Sequence, residues 1–173
     1  MPGTDPTPKG TKVCPSTAGA TNWPAPAYNP DTHYFYVIAQ EGCGINYNVT
    51  GNLRPGADGT SYTESPEVEE RWQLFVRALD VTTGKKVWDY EEVESHHYGP
   101  GLLSTAGGLV FAAEQQGLFT ALDAKTGKAL WHFNTGDLIT ASPMAYTVQG
   151  NEYVAIMSGT NVIAFGLPDR THP

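Results

Sequence analysis

Residues 78–88 read ALDVTTGKKVW and residues 121–131 read ALDAKTGKALW. The two stretches share Ala, Leu, Asp, Thr-Gly-Lys and Trp in the same order, at an offset of 43 residues. A self-similar period of about 40–50 residues marks a propeller, built from one small antiparallel sheet per repeat. Helical repeats have comparable periods but place apolar residues at i, i+3 and i+4. Alternation dominates here instead, as in Leu74-Phe75-Val76-Arg77-Ala78-Leu79-Asp80. The repeat is β.

Its parts follow from their chemistry. Asp80 and Asp123 stand where a strand ends, and Thr83-Gly84 and Thr126-Gly127 supply the hairpin turn. The next strand starts at Lys85 or Lys128 and brings Trp88 or Trp131 to the same point of each unit. A wedge-shaped sheet needs a large, flat side chain to fill the gap against its neighbour, and an indole suits that. Trp88 and Trp131 are therefore expected at equivalent positions, packed between blades.

On the C-terminal side, residues 143–165 give three strands separated by turns at Gln149-Gly150-Asn151 and Gly159-Thr160-Asn161. An earlier unit begins at Pro26-Ala27-Tyr28, turns through Asn29-Pro30-Asp31-Thr32 and continues from Tyr34 to Ala39. The expectation is an all-β partial propeller of about three blades of four-stranded antiparallel sheet. Closed propellers have at least about four blades, so part of the ring is expected to lie outside this sequence. Residues 1–12 read as an irregular lead-in, 13–168 as the blades and 169–173 as a tail. A polar, Pro/Gly-rich stretch over 46–70 reads as an irregular excursion.

Hydrophobic residues make up 40% and charged residues 16%, with 19 Gly and 13 Pro, as suits a folded, turn-rich chain. The net charge of −8 excludes nucleic acid as a partner, because phosphate binding requires clustered Lys and Arg. Two cysteines, Cys14 and Cys43, form no CxxC pair and cannot alone complete a structural zinc shell. They are either buried thiols or a disulfide made in an oxidising compartment. No apolar run is long enough to span a membrane, and no signal peptide opens the chain. Adjacent His96 and His97 would point to opposite faces of a strand and cannot share an ion there. Glu91, Glu92 and Glu94 read as a solvated strand edge.

Three stretches resemble quinoprotein alcohol and methanol dehydrogenases, which depend on pyrroloquinoline quinone (PQQ). They are CPSTAGATNWPAPAYNPDTHYFYV (14–37), GLLSTAGGLVFAAEQQGLFTALDAKTGKALWHFNTG (101–136) and ASPMAYTVQGNEYVAI (141–156). The resemblance runs in order along nearly the whole chain. It implies the C-terminal blades of an eight-bladed propeller in which PQQ lies near the axis. It also implies a calcium or lanthanide ion and a base, held by blades absent from this chain. Asn22-Trp23 match the family's Asn-Trp pair, where the amide faces the quinone. Tyr98 falls where several relatives place a tryptophan beside the cofactor, so all three are candidate cofactor-binding residues. No catalytic or metal-ligating residue is assigned. Cys14 and Cys43 match a family pair that forms a structural disulfide.

The resemblance implies a parent enzyme of the periplasm, its signal peptide lying outside this chain. It would oxidise an alcohol or sugar and pass electrons to a cytochrome or a membrane quinone. This chain alone is expected to be inactive, to require the remaining blades, and to self-associate if isolated. The competing class is a non-enzymatic propeller scaffold of the outer-membrane assembly type. That class keeps the tryptophan repeats but has no use for an amide at the axis.

Overall fold

The computed structural model describes residues 5–16, 19–49, 61–65, 73–93 and 99–167. All regular elements among them are β-strands: β1 (Thr11–Val13), β2 (Ala27–Asn29), β3 (Tyr34–Glu41), β4 (Gly44–Val49), β5 (Ser61–Ser65), β6 (Gln73–Asp80) and β7 (Lys86–Glu92) in the first half. The second half adds β8 (Leu103–Ser104), β9 (Leu109–Ala113), β10 (Leu118–Asp123), β11 (Ala129–Asn134), β12 (Met144–Val148), β13 (Asn151–Ser158) and β14 (Asn161–Gly166). The chain divides into two compact units, Met1–Asn22 with Gln40–Gln73 and Trp23–Ala39 with Leu74–Pro173.

The larger unit holds the repeats as three antiparallel sheets, ordered β2-β3-β6-β7, β8-β9-β10-β11 and β12-β13-β14. Two of the expected blades thus have four strands, while the third shows three among the described residues. Local chemistry sets the turns. The Asp80 carboxylate accepts the backbone N–H of Thr82 and Thr83 and the Thr83 hydroxyl at 2.8–3.1 Å. Asp123 does the same for Lys125 and Thr126 at 2.8–3.0 Å. These are Asx-type turns, each closed by a glycine in the left-handed region, Gly84 at φ 68° and Gly127 at φ 71°. Even the irregularities repeat. The ladder slips between Ala78 and Leu79 in one sheet and between Ala121 and Leu122 in the next. Ala78 thereby faces Trp88, and Ala121 faces Trp131.

Two apolar clusters hold the sheets together. The first joins Tyr36, Ile38, Leu74, Val76 and Trp88 to Leu102, Val110 and Leu122 of the next sheet. The second joins Phe119 and Ala113 to Ile156, Val154 and Phe165 of the third. Each fully buried large side chain contributes on the order of 1.5–3 kcal/mol relative to exposure. The middle sheet is covered on both faces, so its strand β10 reads as a nearly continuous buried run.

The smaller unit is a three-stranded antiparallel sheet in the order β1-β4-β5. It corrects the expected boundaries. Residues 46–70 were expected to be irregular, yet β4 runs to Val49 and β5 occupies Ser61–Ser65. The lead-in likewise contributes Thr11 and Lys12 to β1. The period-2 pattern Ile45, Tyr47, Val49 is a strand signal, overshadowed in the sequence by the Gly/Pro-rich tract beside it. Residues 66–70 lie outside the described residues, as does the tail at 169–173.

Candidate functional site

The best-defined constructed feature is the joint between the first two sheets. Trp88 lies on the glycine of the following repeat: a Cβ added to Gly127 would sit 2.5 Å from Trp88 Cε3. The indole N–H donates to the carbonyl of Ala124 at 3.1 Å, and the Tyr36 hydroxyl donates to the same oxygen at 2.9 Å. Tyr36 also packs on the indole, with ring centroids 5.6 Å apart. The repeat glycine therefore has two functions, of which the sequence suggested one. It permits the left-handed turn, and it clears the surface on which the preceding indole rests.

The second repeat ends differently. Trp131 meets Phe119 and Phe165 edge-on at 6.1 and 5.2 Å, yet it is 40% exposed where Trp88 is 8% exposed. One further period of 43 residues beyond Asp123–Gly127 falls on Gly166-Leu167-Pro168-Asp169-Arg170, which lacks the Asp-x-x-Thr-Gly turn. At the other end, the face of Gly84 meets nothing within 4 Å among the described residues.

Of the candidate cofactor residues, Asn22 ends the first segment of the smaller unit and Trp23 opens the larger one; both are exposed, Trp23 at 66%. Buried Pro24 follows Trp23, and the Leu102 N–H donates to the Ala25 carbonyl at 2.8 Å, anchoring this segment to the next sheet. A Cβ on Gly101 would approach Ala25 N at 2.5 Å, so the close approach requires glycine. The segment is fixed by these contacts, and the Trp23 side chain is largely exposed among the described residues. Tyr98, His96, His97 and Glu94 lie outside the described residues.

Cys14 and Cys43 are bonded, with Cα atoms 4.4 Å apart, within the smaller unit. Cys14 follows β1 and Cys43 precedes β4, so the bond staples the end of the Val13↔Gly44 pairing.

One cluster was missed in the sequence. Glu92, expected on a solvated edge, is buried, and so are Glu114 and Thr120. Burial pushes the Tyr90 phenol above its ordinary pKa; the Thr120 hydroxyl opposes this, and the Glu114 and Glu92 carboxylates add to it. Glu92 ends β7 opposite Leu74, where the alternation Trp88, Tyr90, Glu92 turns it inward. That phase was the available signal. Among the described residues, no three His, Cys, Asp or Glu side chains gather closely enough to hold a metal ion.

With this geometry established, comparisons place the chain among known proteins. A family model described as outer membrane protein assembly factor BamB matches residues 75–169. The quinoprotein alcohol dehydrogenase PedH of Pseudomonas putida is 36% identical over 152 residues, covering 85% of this chain and 24% of that protein. The lanthanide-dependent methanol dehydrogenase of Methylacidiphilum fumariolicum is 32% identical, again over 85% of this chain and 24% of its own length. The crystal structure of the quinohemoprotein alcohol dehydrogenase from Comamonas testosteroni superposes with a TM-score of 0.75 at 27% identity. It covers 91% of this chain and 24% of that one. The chain spans about a quarter of the length of the curated relatives it matches.

Proposed function

Because the chain belongs to the PQQ family of β-propellers, we propose that it forms blades of a PQQ-dependent dehydrogenase acting on an alcohol or sugar. The exposed indole of Trp23, next in sequence to Asn22 and on a backbone segment anchored through Ala25, supports this reading. When bound, PQQ supplies the redox chemistry by accepting the equivalent of a hydride from the substrate carbon. Trp23 offers an uncovered aromatic face for a planar group. The Asn22 amide N–H is a neutral donor suited to an oxygen that gains negative charge. Tyr98 would add a second ring. The calcium or lanthanide ligands and the base are assigned to the rest of the protein, and the electron acceptor to a cytochrome or membrane quinone. The disulfide supports a periplasmic setting, because such bonds persist in oxidising compartments.

A PQQ titration followed by tryptophan emission tests the reading. Wild type is expected to be quenched, Trp23→Phe to lose most of that response, and Trp88→Phe to keep it. An unquenched wild type at millimolar PQQ would count against Trp23 and Asn22 as cofactor residues. The chain alone, supplied with PQQ and calcium, is expected to oxidise no alcohol. Turnover by the chain alone would place the base and metal ligands within it. The alternative, a non-enzymatic scaffold, draws on the description of the matching family model. It predicts no PQQ response in either variant or wild type.

A further inference from the structure

From the junction where the entry segments of three sheets meet on Gly101, we infer that Ser142 is a positioning residue for the Trp23 indole. It sets how that ring meets a planar ligand, and this part rests on the reading of Trp23 as a cofactor residue. Each sheet of the larger unit is entered through a short segment holding a buried proline. These are Trp23-Pro24-Ala25 before β2, Pro100-Gly101-Leu102 before β8 and Ser142-Pro143 before β12. Ala25 N, Ala25 O and Ser142 Oγ all lie within 2.7 Å of one point, the place a Gly101 Cβ would take. The Gly101 N–H donates to Ser142 Oγ at 2.9 Å, and the next N–H, of Leu102, donates to the Ala25 carbonyl at 2.8 Å. Contacts thus run from Ser142 through Gly101 to Ala25, two residues from Trp23.

The hydroxyl has a task because the strand ladder does not reach this far. Strand β8 pairs with β9 at Leu103 and Ser104, so the N–H of buried Gly101 lies ahead of that pairing. A buried N–H needs an acceptor, and Ser142, itself exposed, reaches across from the third sheet to provide one. Proline makes the junction stiff. The ring fixes φ near −65° at Pro24, Pro100 and Pro143, and the residues before them, Trp23 and Ser142 among them, are held to extended backbone. With those torsions restricted, a shift at Gly101 passes on to Trp23 instead of being absorbed. The far end of β2 has its own tie, where Asn29 Nδ2 donates to Ser104 Oγ at 3.2 Å and to the Thr105 carbonyl at 3.1 Å. Ser142 therefore governs the Trp23 end alone.

The test follows the tryptophan indole and backbone N–H resonances of the full chain by NMR, with Trp23 assigned through Trp23→Phe. Ser142→Ala is expected to move the Trp23 resonances and to speed Gly101 amide exchange at least tenfold, while the Trp88 indole resonance stays in place. Ser142→Thr keeps the hydroxyl and should restore both. In a PQQ titration, the half-quenching concentration should rise at least fivefold in Ser142→Ala and return in Ser142→Thr. Trp23 resonances unmoved by Ser142→Ala would overturn the inference. So would a quenching curve identical to that of a wild type that PQQ does quench. Movement of Trp23 and Trp88 together would make Ser142 a general stabiliser and equally overturn it. A wild type that PQQ leaves unquenched, with the Trp23 shift still present in Ser142→Ala, would remove the cofactor reading and leave the positioning of Trp23 by Ser142 supported.

Discussion

The two tryptophan repeats differ little in sequence and greatly in surroundings. Trp88 lies buried on Gly127 with its N–H bound to Ala124, whereas Trp131 is 40% exposed. Conversely, Gly127 bears an indole, and among the described residues Gly84 bears nothing. The turn, the carboxylate that pins it and the slipped register are properties of each repeat by itself. Burial is a property of the neighbour. A repeat motif therefore predicts local geometry wherever it occurs, but predicts core packing only where the next repeat is complete.

The largest test of that contrast is to delete each indole. Trp88→Ala is expected to cost about 3–5 kcal/mol, and Trp131→Ala about 1–2 kcal/mol for its partly covered aromatic contacts. Equal shifts in urea midpoints would show that exposure at Trp131 misrepresents its packing. Reduction of Cys14–Cys43 should cost the smaller unit about 3–4 kcal/mol by releasing a closed loop. Faster exchange of β1 and β4 amides, with unchanged Trp88 emission, is the signature. Loss of the Trp88 signal on reduction would contradict confinement of the effect.

Alanine at the two glycines narrows the contrast further. Both substitutions place a Cβ in the left-handed region, at about 1–2 kcal/mol. Only Gly127→Ala also forces apart a packed contact, adding about 1–3 kcal/mol. Thermal melts in which Gly84→Ala proves the worse variant would invert the assignment of covered and bare faces. The smallest effect concerns acid. The carboxyl of Asp80 is held below its ordinary range chiefly by the Thr83 N–H, and that of Asp123 chiefly by the Thr126 hydroxyl. A depressed folded pKa contributes stability above the unfolded value, near pH 4, that is lost as pH falls through the folded one. Asp80→Asn and Asp123→Asn should each flatten the acid limb of a stability curve by similar small amounts. A marked inequality would mean that the two turns are not chemically equivalent.

Much of this was legible because the motif carries its own geometry. Asp80, Thr83 and Gly84 dictate a turn within a few residues, and the same letters at 123–127 dictate it again. The Gln149-Gly150 and Gly159-Thr160 hairpins were readable on the same ground, since positive φ favours glycine. The features that escaped reading depend on partners distant in the chain. Glu92 seemed a surface charge among acidic neighbours, and only its phase with Trp88 and Tyr90 turns it inward. Strand β5 lacks the apolar content that marks a strand in isolation and exists by pairing with β4. The exposure of Trp131 could not be read from its own motif, which is spelled like that of Trp88. Asn22 and Trp23 stood out through resemblance alone, because their chemistry is that of many loop residues.

The Ala124 carbonyl receives both the Trp88 indole and the Tyr36 hydroxyl, one donor for each lone pair. Joining sheets through a main-chain oxygen makes these hydrogen bonds independent of the side chain's chemistry, although the small Ala124 side chain is itself buried at the joint. A gene encoding such sheets can duplicate one and let its surface drift, and the copy still fits beside its parent. The backbone atom that makes the joint is the part of the molecule that mutation cannot rewrite.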